Sequence, residues 1–307
     1  MTKMVPPKVS IIIPHLNQLA ALERCLASLR AQTYPADQIE IIIADNGSVA
    51  DFRELLQTHP DLRLVCEHSP GPGPARNAGV AAATADILAF IDADCRAHPG
   101  WVSAAVGALE QPSSTGVVGG DVQIDLAHHT CMTGLEAYES VFAYRQRLYI
   151  EKLGFSGTGN LAMRRAIFQK IGPFAGIGVA EDRDWGRRAA RQGIVTRYIP
   201  QMIVYHPART DMADMVAKWR RQTAHDLADH RAAGRSTLVW LARAAALVAS
   251  TPIHGLKIIG SPRLPNWPAR LRGLSTLAQI RTLRAREMLV QCAQPTHQGA
   301  RHWNRSM

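Results

Sequence analysis

Apolar and polar positions alternate in blocks along the first hundred residues. Val9 to Ile13 is apolar except for Ser10 and is stopped by Pro14. A short run of this kind, bounded by a breaker, reads as a strand buried on both faces. Leu19, Leu22, Leu26 and Leu29 then recur at helical spacing in a segment ending near Gln32, and Ile39 to Ala44 forms a second apolar strand closed by Asp45-Asn46-Gly47-Ser48. Asp51 to Gln57 has helical character, which makes the Asn-Gly pair a strand-to-helix loop rather than a hairpin turn. A third strand spans Leu62 to Cys66, and Ser69 to Pro74 is a rigid proline-glycine loop. Pro74 suits the first position of a helix through Ala83. A fourth apolar run, Ile87 to Ile91, ends in Asp92-Ala93-Asp94. This rhythm predicts an α/β domain with a mostly parallel, doubly wound sheet and helices on both faces over residues 9 to 110.

The pattern changes after residue 115. Gly116 to Ile124 reads as a strand, Thr133 to Glu151 as one helix carrying three tyrosines, and Gly154 to Asn160 as a glycine-rich loop. Arg165 to Ile171 is a short helix, followed by a loop from Gly172 to Val179. A helix opens at Glu181 with three acids in its first turn, where the helix dipole favours them, and is capped by Gly193. Ile194 to Pro200 and Met202 to His206 read as two edge strands, and a long polar helix begins after Asp211. Leu238 to Ala249 is strongly apolar, interrupted by Arg243 and ended by Pro252. Two placements fit it, a helix lying on a membrane surface or a helix docked on the preceding domain.

Composition narrows this picture. The chain has 307 residues, 47% hydrophobic and 20% charged, enough for one large α/β domain with an appendage, or for two domains. Five scattered cysteines without metal-ligand spacing point to reduced thiols and a cytoplasmic setting. Met1 to Lys8 shows no apolar signal segment, and no run is long enough for a clear transmembrane span. The net charge of +10 is concentrated at the end: eight arginines and one acid, Glu287, lie between residues 261 and 307. Such a tail suits an anionic partner, whether phospholipid head groups, nucleic acid or an acidic protein. With 6% aromatic residues, stacking platforms are scarce, and nucleic acid is not the expected partner.

The chemistry gathers at strand ends. Asp45, Arg76 beside the proline-glycine loop, and the Asp92/Asp94 pair follow successive strands of one proposed parallel sheet, so they should converge on its carboxyl edge, where open α/β sheets bind ligands. Alternation along an extended chain would place Asp92 and Asp94 on one side, able to hold one divalent cation or one sugar-phosphate between them. The simpler alternative for each is structural: an Asx-turn cap for Asp45, a strand terminator for Pro14, an exposed helix arginine for Arg76, a solvated turn for the pair.

Val9-Ser-Ile-Ile-Ile-Pro-His-Leu-Asn17, Ile41-Ile-Ile-Ala-Asp-Asn-Gly-Ser48, the Gly-Pro-Ala-Arg-Asn-Ala-Gly run ending at Gly79, Phe90-Ile-Asp-Ala-Asp94, Gly157-Thr-Gly-Asn160 and Glu181-Asp-Arg-Asp184 occur in this order. Together they resemble a family-2 glycosyltransferase of the GT-A fold over about residues 8 to 206. The resemblance implies an inverting transfer of one sugar from a nucleotide-sugar donor, a UDP-sugar first among them, to a glycan or lipid-linked acceptor in surface polysaccharide biosynthesis. By the same resemblance Pro14 and Asn17 shape the nucleotide pocket, Asp45 contacts the base, Arg76 the diphosphate, and Asp92 the ribose or a metal-bound water. Asp94 would bind Mn²⁺ or Mg²⁺ with His206 completing the site, and Asp182, with Glu181 as runner-up, would be the general base. It divides the chain into a GT-A catalytic domain, residues 1 to 235, with a nucleotide-binding part of about 8 to 115 and an acceptor part of about 116 to 235. Residues 236 to 307, outside the resemblance, form the apolar helix and basic tail; of their two placements, the membrane-surface one corresponds to a peripheral position at the cytoplasmic face of the inner membrane.

Two departures matter. A single aspartate, Asp45, stands between Ala44 and Asn46 where many relatives have two, which leaves the base less defined. Lys218-Trp219-Arg220-Arg221-Gln222 does not match the Gln-x-x-Arg-Trp motif of processive synthases, so a single addition is expected. The alternative enzyme is a sugar-phosphate nucleotidyltransferase, but Pro14-His15-Leu16-Asn17 is not the glycine- and arginine-rich loop such enzymes carry after the first strand.

Overall fold

A computed structural model describes residues 5–49, 51–126 and 131–293. In chain order the elements are β1 (Val9–His15), α1 (Leu19–Arg30), β2 (Ile39–Asp45), α2 (Arg53–Thr58), β3 (Arg63–Cys66), α3 (Pro72–Ala82), β4 (Ile87–Ile91), β5 (Arg96–Ala97), α4 (Trp101–Leu109) and β6 (Val117–Asp125). There follow α5 (Gly134–Phe142), α6 (Gln146–Leu153), β7 (Asn160–Arg164), α7 (Arg165–Ile171), α8 (Glu181–Arg191), β8 (Arg197–Pro207), α9 (Met212–Ala232), α10 (Thr237–Ala249), α11 (Thr251–Ile259) and α12 (Trp267–Ala293). They group into two compact units, residues 1–123 with 144–206, and residues 124–143 with 207–307.

The first unit is the expected α/β domain. Its eight-stranded sheet runs in the order β3-β2-β1-β4-β7-β6-β8-β5. β3, β2, β1 and β4 pair in parallel, in register from Val9↔Ile39 to His15↔Asp45, while β7 runs antiparallel to both β4 and β6. The parallel strands read as unbroken apolar runs because helices cover both faces: Ile11 and Ile13 face Leu22, Leu26 and Trp101, while Ile12 and Phe90 join Val80, Phe174 and Trp185. Gly79 lets α3 lie on the sheet, since a Cβ there would come within 2.4 Å of the Ile12 side chain.

Two expectations are corrected. Of the stretch expected as two strands, Arg197–Pro207 is one strand, β8, with Pro200 inside it. Among the described residues β5 flanks its outer side and meets it at Val204 and Tyr205, so Pro200, which has no N–H, lies outside that ladder. The helix expected from Thr133 to Glu151 is two, α5 and α6, separated by Tyr144 in the left-handed region at φ 46°.

The second unit is helical. Thr133 and Glu136 form a capping box at the start of α5. Leu135, Ala137 and Tyr138 pack with Ala269, Leu277 and Ile280 of α12 and Met215 of α9. Glu139 is buried within this unit and receives the Arg209 backbone and guanidinium and the Lys218 ammonium. Burial, reinforced by the Arg209 charge, brings the Lys218 ammonium down to about 8. The basic segment past Ala293, with Arg301 and Arg305, lies outside the described residues.

Candidate functional site

The first cluster sits where β1 and β2 end. Asp45 closes β2, and its carboxylate accepts the backbone N–H groups of Gly47 (3.2 Å) and Ser48 (2.9 Å), the Ser48 hydroxyl, and Nδ1–H of His15 (3.1 Å). His15 Nε2 accepts the Gln18 amide at 3.0 Å, so its ring proton is on Nδ1 and points at Asp45. Burial tends to raise the Asp45 carboxyl, but the Ser48 and His15 hydrogen bonds outweigh it and hold the group below the usual carboxylate range. About four acceptor positions are available on a carboxylate, and here all are filled by the loop itself. Contact with a nucleotide base would therefore require exchanging one of these bonds.

Asn17 belongs to the same network. It holds a left-handed backbone at φ 54°, its side-chain oxygen accepts the Val49 amide, and its own amide bonds Ser48 Oγ. Asn46 is buried and spans to the next loop, donating to the Glu67 and Ser69 carbonyls and accepting the Gly71 amide. Pro14 is half-buried one residue before the end of β1. His15, Asn46 and Ser48 carry no signal in the sequence, because their value lies in bonds to residues 21 to 33 positions away.

The second cluster lies past the ends of β4 and β8 and at the start of α8. Asp92 and Asp94 follow β4 in a turn, closed by the Cys95 amide on the Asp92 carbonyl. They do not alternate as strand residues, and their carboxylates take different partners. Asp92 accepts Arg76 Nη2 at 2.7 Å; Asp94 lies 3.5 Å from His206 Nε2. The two carboxylates thus share no partner: Asp92 is paired with Arg76, and Asp94 lies beside His206. Gly159 is required beside Asp92, since a Cβ there would come within 2.4 Å of Asp92 Oδ2. That contact explains the second glycine of Gly157-Thr-Gly159.

Arg76 is buried and also donates Nη1 to Glu181 Oε1 at 3.0 Å. It therefore joins a residue after the fourth strand to one at the first turn of α8. Its buried Nε has no hydrogen-bond partner. Asp182, beside Glu181, accepts the Arg183 amide at 2.7 Å. Burial, and then the neighbouring Glu181 charge, push its carboxyl above the ordinary value. A carboxylate so placed is a stronger base than a solvated aspartate. Asp184 pairs with Arg188 one turn along the helix, away from this cluster's bonds.

Asp94, Cys95 and His206 offer ligand atoms within 4.8 Å of one another. Cys95 does not suit a hard cation: burial, then the Asp92 and Asp94 charges, raise its thiol well above the usual range and keep it protonated. The carboxylate and imidazole that remain are donors of the kind a divalent cation takes. The hydroxyl of Tyr144 lies 3.0 and 3.1 Å from the two His206 nitrogens, and its ring lies against the imidazole at 4.5 Å between centroids. Tyr144 carried no sequence signal, because neither glycine nor proline marks the break that presents it.

Three further polar or aromatic residues near these motifs are tied into the fold. Asn160 is fully buried, accepting Trp101 Nε1 and donating to the Asp121 and Met202 carbonyls. Trp185 lies in the core and bonds the Gly172 carbonyl. Arg220 is exposed and paired with Glu287.

The model of the family described as Glycosyl transferase family 2 matches residues 10–172. The glycosyltransferase AglE of Haloferax volcanii is 32% identical over 211 residues, which are 66% of this chain and 68% of that protein. A pre-mycofactocin glycosyltransferase of Mycobacterium tuberculosis is 28% identical over 218 residues, 68% of this chain but 45% of the relative, so the chain spans less than half of that protein. Among solved structures, the mannosyltransferase PcManGT from Pyrobaculum calidifontis, in complex with GDP-Man and Mn²⁺, aligns with a TM-score of 0.60 at 22% identity, over 94% of this chain and 88% of that one. Residues 1–349 of S. aureus TarS, in complex with UDP-GlcNAc, align with a TM-score of 0.52 at 15% identity, over 89% and 90%. The likenesses to solved structures bear on the GT-A-type fold; the family model and the AglE match bear on descent. The chain belongs to glycosyl transferase family 2 and is a family-2 glycosyltransferase.

Proposed function

We propose that the protein transfers one sugar, with inversion, from a nucleoside-diphosphate sugar to a glycan or lipid-linked acceptor used in surface polysaccharide synthesis. The observation that supports this best is the Arg76 bridge between Asp92 and Glu181, which draws three separate motifs to one sheet edge. Asp94 and His206 would hold a divalent cation, Mn²⁺ before Mg²⁺ by their donor chemistry. When bound, such a cation offsets the charge that develops on the departing nucleoside diphosphate.

The chain's own residues do the rest. Asp182 takes the proton of the attacking acceptor hydroxyl, a role its raised proton affinity suits. Glu181 is less suited, because its carboxylate is held by Arg76. Arg76 holds Asp92 in place and supplies a positive charge that suits a diphosphate. Asn17 and Pro14 shape the nucleotide pocket, and Asp45 keeps its loop in the shape that receives the base. The relatives' family leaves the nucleotidyltransferase alternative without support.

The test is a thermal-shift screen of UDP-, GDP- and dTDP-sugars with Mn²⁺, UDP-sugars first, followed by nucleoside-diphosphate release with each hit. A donor binding the folded state raises the midpoint by mass action. Stabilisation by one nucleotide class only with Mn²⁺, and release of its diphosphate, is the expected result. Pyrophosphate release from a nucleoside triphosphate and a sugar phosphate would overturn it.

A further inference from the structure

The exposed faces of α10 and α11 are apolar where a solvated helix would be polar. α10 buries Trp240 and Ala244 against Ala285 and Met288 of α12. Its opposite face carries Leu238, Leu241, Ala245 and Val248, with Leu238 76% exposed. Past the Ser250 junction, Ile253 and Leu256 of α11 are 68% and 66% exposed, on the side away from its buried Gly255 and Ile258. The first turns of α12 add Trp267 and Leu271, each 62% exposed, with the Arg270 guanidinium over the Trp267 ring. Singly exposed apolar residues need no explanation; a run through three successive helices does.

Charge decides what covers it. From residue 235 to 293 there are nine arginines and lysines and one acid, Glu287, which is already paired with Arg220. We propose that these helices dock in the plane of an anionic lipid bilayer, with Leu238, Leu241, Ile253 and Leu256 in the acyl boundary and Lys257, Arg243 and Arg272 among the head groups. Exposed apolar residues flanked by cations, with a tryptophan at one end, are the composition of an interfacial helix. No helix among the described residues is long and apolar enough to cross a membrane, so this surface lies on the bilayer. A second copy is a poorer occupant: a twofold interface would set this cationic surface against itself. Docking does not depend on the proposed chemistry at Asp94 and Asp182.

Flotation of the full chain with phosphatidylcholine vesicles, with and without one-third phosphatidylglycerol, tests it. The expected result is binding to the anionic vesicles that weakens as salt rises. Ile253→Gln/Leu256→Gln should reduce binding on the order of tenfold or more, and Lys257→Gln and Arg272→Gln roughly fivefold each. All four positions are exposed, so melting midpoints should hold, and Leu153→Gln on α6 should leave binding unchanged. Failure to float with anionic vesicles overturns the proposal, as does binding unaffected by the Ile253/Leu256 pair. Light scattering that shows a dimer split by that pair, without flotation, assigns the surface to a second copy instead.

Discussion

Two carboxylate-bearing corners of the same sheet edge are built in opposite ways. At Asp45 every acceptor position is filled by Gly47, Ser48 and His15, and the group is 5% exposed. At Asp92, Asp94 and Asp182 the carboxylates outnumber their paired cations among the described residues: Arg76 serves Asp92 and Glu181, and Asp94 lies beside a histidine and a protonated thiol. The first corner is complete without a ligand. The second carries negative charge that an incoming cation or hydroxyl proton would offset. A carboxylate bound on all sides keeps a loop in shape; one left short of partners is available for chemistry.

The contrast breaks first at Asp94. If the second corner anchors a cation, Asp94→Ala should lower turnover on the order of a thousandfold, the loss of several kcal/mol of charge stabilisation. It should also abolish any Mn²⁺-dependent rise in melting midpoint while leaving the metal-free midpoint in place, because Asp94 is partly exposed. Turnover within tenfold of the parent would remove Asp94 from the site.

Asp182→Asn comes next, with an expected loss on the order of a few hundredfold in transfer. Its effect on stability has the opposite sign. The folded state holds the Asp182 proton more tightly than the unfolded chain, so its contribution is fully favourable below the unfolded value and fades as pH rises through the raised folded one. At neutral pH the ionised side chain therefore costs stability, and the amide, which carries no charge, should melt higher there than the parent. The parent's turnover should fall on the acid side at a pH above that of an ordinary aspartate. A variant that melts lower at neutral pH would contradict the cause given for the shift.

How much of each corner was legible follows from how far apart the bonded residues lie in the chain. β1, β2 and β4 were readable because strands covered on both faces are plain apolar runs, and α8 because its acids and Gly193 mark both ends. The convergence of Arg76 with Asp92 followed from successive parallel strands, which share one carboxyl edge. The pairing of Arg76 with Glu181, 105 positions on, did not. Neither did Pro200 inside β8, since its tolerance depends on a two-residue neighbour too short to recognise. Asp45 stayed ambiguous because an Asx-type cap and a base contact call for the same residue after the same strand; only its filled acceptor positions separate them.

Asp45→Ala sharpens the other side of the comparison. Removing the carboxylate leaves two loop amides without their partner and His15, its side chain wholly buried, with the Ser48 hydroxyl alone at Nδ1, an expected destabilisation of about 3 kcal/mol. Asp45 is held below the ordinary carboxylate value, so its contribution is present above the unfolded value and is lost as pH falls through the folded one. The parent's acid sensitivity should shrink in the variant. The comparison fails if Asp45→Ala leaves the midpoint unchanged and instead removes donor binding.

The smallest effect expected is at Tyr144. Its hydroxyl sits over both His206 nitrogens from a left-handed backbone position, a conformation that costs a non-glycine residue about 1–3 kcal/mol and persists where its surroundings hold it. If His206 completes a cation site, the tyrosine orients the imidazole as a neighbouring hydrogen-bond partner does in metal proteins, and losing such a partner weakens metal binding about tenfold or more. Tyr144→Phe keeps the ring stacked on His206 while deleting the hydroxyl. The expected result is about a tenfold rise in the Mn²⁺ concentration needed for half-maximal thermal shift, with turnover at saturating Mn²⁺ little changed. A fall in turnover that excess Mn²⁺ does not restore would move Tyr144 from positioning the histidine to touching the sugar or the acceptor. An unchanged Mn²⁺ requirement would detach His206 from the metal.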